Sequence, residues 1–202
     1  MNYQYIPYSL ILFRFICALI ILSLAYYVGV KAANPILWLM YFGLISDILD
    51  GMIARYTGGQ TALMRRLDSQ TDMVFWVSIG IGAWMLNPQP IREHQTLITM
   101  IFIMEGLCYL ISIVKFGKET CTHAWLSKFW GLTLLAAFTQ LIGFNKAGFW
   151  FYLSIYMGLI SHFDRILITL ILPKWTHDIP SAYHAWLIRK GISFKKHKLF
   201  NG

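Results

Sequence analysis

The stretch "DILDGMIARYTGGQTALMRRLDSQTD", residues Asp47–Asp72, holds four of the nine acidic side chains in a chain of 202 residues. They are Asp47, Asp50, Asp68 and Asp72, and long apolar runs flank them on both sides. The chain is 57% hydrophobic and 13% charged, with a mean hydropathy of +0.57. A soluble domain of this length carries about 25% charged residues, whereas roughly 20 mostly apolar residues suffice to cross a bilayer as helix. The composition therefore predicts an all-α integral membrane protein.

Six spans are expected, near residues 8–29, 34–53, 69–87, 96–115, 125–144 and 148–172. Short separators such as "KAANP", "TGGQ" and "NKAG" punctuate them. The first span is too long, and lacks the small-residue site, for a removable leader. An even number of spans puts both termini on one side. Loops on that side hold Arg55, Arg65, Arg66, Lys115, Lys118 and Lys128, whereas the opposite loops offer Lys31, Arg92 and Lys146. The positive-inside rule makes that side, with the Asp-rich segment and both termini, cytoplasmic. Residues 1–175 are expected to form the six-helix transmembrane domain, and 176–202 a basic tail at the membrane surface. The net charge of +8 suits anionic headgroups. No basic soluble module exists to hold nucleic acid. Cys17, Cys108 and Cys121 lack ligand spacing and are expected to be small apolar fillers. The aromatics, among them Trp38, Trp76, Trp84, Trp125, Trp130, Trp150 and Trp175, mostly fall near the expected span ends, as an interfacial belt requires.

On a helix, Asp47, Asp50, Gly51 and Ala54 fall on one stripe, and Asp68 and Asp72 share another. Two helices joined by a short turn bring both stripes together near the cytoplasmic boundary. Four carboxylates at the edge of hydrocarbon repel one another, and an isolated charge at the bilayer centre costs about 2.5–3.5 kcal/mol. Two divalent cations balance the four charges. An all-oxygen ligand set favours Mg²⁺ or Mn²⁺, and paired metals suit phosphoryl chemistry. The plain alternative is that these aspartates cap helices and pair with Arg55, Arg65 and Arg66.

The segment resembles the signature of the CDP-alcohol phosphatidyltransferase family, D-x-x-D-G-x-x-A-R-x8-G-x3-D-x3-D. Asp47, Asp50, Gly51, Ala54, Arg55, Asp68 and Asp72 stand at its spacing, and Met64 takes the place of its second glycine. "PYSLILFR" is similar to the family's N-terminal P-N-x-L-T-x-x-R segment, keeping Pro7, Leu10 and Arg14. The resemblance implies transfer of a phosphatidyl-type group from a CDP-linked lipid, such as CDP-diacylglycerol, to a small polar alcohol, with release of CMP. It implies that Asp47, Asp50, Asp68 and Asp72 bind two divalent cations and that Asp72 is also the general base. Gly51, Ala54, Arg55 and Thr61 would line the CDP site, and a homodimer in a bacterial inner membrane is expected.

Lys128, in a segment faintly similar to one of the phosphatidylglycerophosphate branch, and Arg165 are candidates for an acceptor pocket, which tilts the acceptor toward glycerol 3-phosphate. Asp164 is expected to pair with Arg165 or Arg14, His162 to be a packed, hydrogen-bonded histidine, and Glu105 to need a partner. A divalent-cation transporter and a catalytically silent scaffold are the rival readings.

Overall fold

The computed structural model describes residues 5–57, 61–119, 122 and 124–192, apart from the side chains of Arg55, Thr57 and Ala62. Gly58 and Gly59 of the "TGGQ" separator lie outside the described residues, as does Cys121. All regular structure among the described residues is helical. The helices are α1 (Ile6–Tyr27), α2 (Ala33–Thr57), α3 (Ala62–Leu86), α4 (Pro88–Glu93), α5 (Gln95–Phe116), α6 (Trp125–Phe144), α7 (Phe149–Ile171) and α8 (Ala182–Arg189). A 3₁₀ turn, Gly29–Ala32, joins α1 to α2.

Four segments are long and apolar enough to cross a membrane: Ile6–Tyr27, Gly29–Ala54, Gln95–Phe116 and Phe149–Ile171. Helices α3 and α6 are 25 and 20 residues long, enough to cross, but more polar. Arg65, Arg66, Asp68, Gln70 and Asp72 crowd the first half of α3, and α6 carries Lys128 and Gln140. The outward faces suit lipid, since Leu12, Phe13, Ile16, Leu19 and Ile20 of α1 are all exposed. A surface so apolar would aggregate in water.

The chain divides into two compact units. One comprises the described residues up to Glu93 with Phe138–Ala147; the other comprises His94–Ala137 with the described residues from Gly148 on. In the first unit, α1 packs along both α2 and α3, which touch each other little. Its inward stripe runs Pro7, Ile11, Arg14, Ala18, Ile21 and Ala25, at alternating steps of four and three. Every member is apolar except Arg14. Facing it on α2 are Ile36, Met40, Asp50 and Ala54, and on α3 Met64, Phe75, Ile79 and Ala83, all buried. Helix α2 approaches α3 closely at Gly43, where an added Cβ would lie 2.1 Å from the Phe75 ring. The C-terminal end of α6 belongs here too. Phe138 stacks on Trp76 with ring centroids 6.1 Å apart, and Asn87 Nδ2 donates to the Leu141 carbonyl at 2.9 Å.

In the second unit, α5 packs against α7, and α7 against α8. Ala124, Ile168, Leu172, Ile179 and Ala185 form its buried apolar cluster. Helix α5 ends at Gly117, whose left-handed φ of 65° lets its N–H donate to the Ile113 carbonyl at 2.8 Å. Lys115 Nζ donates to the carbonyls of Thr169, Leu170 and Leu172 at 3.0, 2.6 and 2.9 Å. One ammonium from α5 thus caps the end of α7, where free carbonyls concentrate negative charge. Of the expected tail, residues 193–202 lie outside the described residues, and α8 covers part of the remainder.

One expectation needs correction here. Asp164 pairs with neither Arg165 nor Arg14. Its Oδ1 accepts from the Ala182 N–H at 3.0 Å, a free donor in the first turn of α8, so the carboxylate anchors α8 to α7. The tryptophans also divide: Trp38, Trp84, Trp125 and Trp150 are exposed, but Trp76 stacks inside the first unit and Trp130 packs edge-on to His162 at 4.7 Å.

Candidate active site

The four aspartates interrupt the buried stripes of α2 and α3 where apolar residues would otherwise continue. Asp47 and Asp50 lie one helical turn apart in the last half of α2, and Asp68 and Asp72 one turn apart in the first half of α3. Because α1 lies against both helices, its own stripe at that level meets all four. The residue there is Arg14, fully buried. Its Nη1 donates to Asp47 Oδ1 at 2.8 Å and to Asp72, and its Nη2 to Asp68 Oδ1 at 3.1 Å and to Asp50. Carboxylate oxygens of Asp47, Asp50 and Asp68 lie within 4.8 Å of one another.

Asp50 is 1% exposed, and its Oδ1 has no hydrogen-bond partner among the described residues. A buried carboxylate oxygen without a donor is costly unless something positive meets it. The donor set is all oxygen, which matches hard divalent cations. The residues present therefore fit a metal ion, and Asp47, Asp50 and Asp68 form a group that could hold one in exchange for the Arg14 guanidinium.

Helix α3 begins next to this cluster. Thr61 is its N-cap: the side-chain oxygen accepts from the Met64 N–H at 3.1 Å and lies 3.2 Å from the Tyr8 hydroxyl. Met64 is 4% exposed and packs with Ala54 and Ile11, with Tyr8 alongside. The thioether thus fills the space beside Ala54 that a glycine would leave open. Gly51 is half-buried on α2 beside Asp50. The side chain of Arg55 lies outside the described residues.

A sequence model of the CDP-alcohol phosphatidyltransferase family matches residues 4–171. The chain belongs to that family. The match spans α1 through α7 and so includes all four aspartates and Arg14. Searches among curated proteins and among solved structures returned no match. Membership makes the chain a phosphotransferase of phospholipid synthesis, in a family that uses divalent cations.

Lys128 and Arg165 both belong to the second unit. Lys128 is exposed on the first turn of α6. Arg165 forks onto Glu105 of α5, with Nη1–Oε2 at 2.7 Å and Nη2–Oε1 at 3.2 Å. His162 is fully buried beside them. Its Nε2 lies 2.6 Å from Glu105 Oε2, and its Nδ1 lies 2.5 Å from the Gly158 carbonyl. Glu105, unassigned from sequence, thus joins Arg165 and His162 of α7. At Gly158 an added Cβ would come within 2.8 Å of both Ile101 and Trp130, so this glycine lets the neighbouring side chains close over the triad.

Sequence reasoning passed over the role of Arg14. Its signal was available: it is the only charged residue in α1, and a lone charge inside a span demands a partner.

Proposed function

We propose that this CDP-alcohol phosphatidyltransferase moves a phosphatidyl group from CDP-diacylglycerol to the hydroxyl of a small polar acceptor, with glycerol 3-phosphate favoured, and releases CMP. The observation that carries the reading is the convergence of Asp47, Asp50, Asp68 and Asp72 on one point, with a buried Asp50 oxygen left unpartnered. In this reading the four aspartates hold two divalent cations, Mg²⁺ or Mn²⁺. When bound, these supply charge neutralisation at the diphosphate.

The chain's own residues do the rest. Gly51, Ala54 and Thr61 border the nucleotide, and Arg55 reaches a phosphate oxygen. Asp72 accepts the proton of the acceptor hydroxyl. The acceptor oxygen then bonds to the phosphorus that carries the lipid, and the bond from that phosphorus to the CMP oxygen breaks. Lys128 and Arg165 are the cations assigned to a phosphorylated acceptor in this reading, Arg165 giving up its fork on Glu105 to do so. Both termini and the aspartates face the cytoplasm, six helices span a bacterial inner membrane, and two copies associate.

One observation favours a second reading, the silent scaffold: a guanidinium already occupies the centre of the carboxylates. The test is to incubate purified protein with CDP-diacylglycerol, Mn²⁺ and single acceptors in turn, following CMP and the lipid product. Acceptor-dependent CMP release supports the enzyme. Absence of CMP with every acceptor, from protein that is folded, supports the scaffold.

A further inference from the structure

We infer that Arg14 is a ligand for the donor's diphosphate, paired with the four aspartates and released from them to the diphosphate when metal binds. The inference rests on the proposed reaction for the identity of that diphosphate.

The argument begins with charge. Arg14 is the sole cation of α1 and is fully buried, and it donates to all four carboxylates. A guanidinium buried among four carboxylates gathers several charges in surroundings where uncompensated charge is expensive. The arrangement keeps the aspartates from driving α2 and α3 apart.

The hydrogen-bond inventory makes the same point. Asp50 Oδ1 is buried with no donor, and Arg14 Nε is buried with no acceptor, both among the described residues. An acceptor without a donor and a donor without an acceptor, on directly bonded partners, mark a resting pairing that each could better. A cation on Asp50 satisfies the first. An anion on the guanidinium satisfies the second, and the planar fork of arginine matches phosphate oxygens. A metal–diphosphate pair supplies both at once, whereas metal alone satisfies the Asp50 oxygen and leaves the guanidinium without its anion, and diphosphate alone finds the guanidinium still held by the carboxylates.

Two consequences are measurable without turnover. Arg14 competes with metal for the same oxygens, so Arg14→Gln should bind Mn²⁺ alone roughly tenfold more tightly than the wild type, since a neighbouring positive charge is gone. With Mn²⁺ saturating, the same variant should bind CDP roughly ten- to hundredfold more weakly, the worth of a hydrogen bond to a charged group. Titration calorimetry or Mn²⁺ paramagnetic resonance reads both. Unchanged or weaker Mn²⁺ binding in Arg14→Gln, or unchanged CDP binding, overturns the inference. Should that variant fail to fold, the wild type carries the test. The Arg14 Nε–Hε resonance, assigned by its loss in Arg14→Lys, should shift when Mg²⁺ and CDP are added together, and stay in place with CDP alone. No shift with both present overturns the inference. If the wild type binds neither Mn²⁺ nor CDP, it is the proposed reaction that fails.

Discussion

Asp72 sits at the outer edge of the carboxylate group, with a third of its side chain exposed, whereas Asp50 is buried beneath it. Exposure suits a group that must exchange a proton with an incoming hydroxyl, and burial suits one that holds a cation in place. Asp72→Asn should therefore lower turnover by about 10²–10⁴, the usual range for loss of a general base, while CDP and Mn²⁺ binding partly survive. Near-normal turnover in the purified variant would sink that assignment. At this scale the sequence was legible wherever spacing alone sufficed. The four aspartates, three and four residues apart, had to share helical faces, and the structure brings them together. What spacing could not reveal was the third helix. Arg14 lies 33 residues before Asp47, and only tertiary packing puts it among the carboxylates. Met64 was legible as a departure from the signature but not as a space-filler, since its neighbours Ile11 and Ala54 come from two other helices.

Two contacts between helices invite tests at the scale of the element. The Phe75 ring lies on the backbone of Gly43, one turn from Asp47 on α2, and Phe75 itself is one turn from Asp72 on α3. A methyl group there must displace a buried ring. Gly43→Ala should cost about 1–3 kcal/mol in overpacking, against a gain of about 1 kcal/mol in helix propensity. The net expectation is a lower melting temperature in detergent and weaker Mn²⁺ binding, with Phe75→Leu restoring both in the double variant. Independent effects of the two substitutions would refute this coupling. At the far end of α7, Lys115 holds three carbonyls. Lys115→Met should destabilise that terminus by about 2 kcal/mol, between helix-end charge and charged hydrogen-bond values. Hydrogen exchange should quicken in the last turn of α7 while the middle of the helix is unaffected. The helices themselves were readable from apolar run length. The start of α3 was not: apolarity places it near residue 69, but the helix begins at Ala62. Its first turns are polar because they carry the site, and Thr61 supplies the cap that composition alone does not weigh.

On the scale of the whole chain, the carboxylates join three helices at one point, so a cation bound there should report on the entire first unit. At a hundred times its dissociation constant, Mg²⁺ or Mn²⁺ should stabilise the protein by about 2.7 kcal/mol. Thermal unfolding with and without chelator measures this, and Asp50→Asn should abolish the difference. An equal response in wild type and variant would mean that the ion binds elsewhere. The apolar exterior was legible from composition because nothing but lipid explains it. The division into two units was not, because the contacts that define it connect residues far apart in the chain.

The wedge of α1 between α2 and α3 has a consequence for how the protein is made. Of these three helices α1 is made before the other two, so its inward stripe with Arg14 meets α2, with Asp47 and Asp50, first and is completed only when α3 follows with Asp68 and Asp72. A chain cut at the 3₁₀ turn after α1 and expressed as two pieces should therefore reassemble in the membrane, with the short piece docking into a gap that the long piece leaves open.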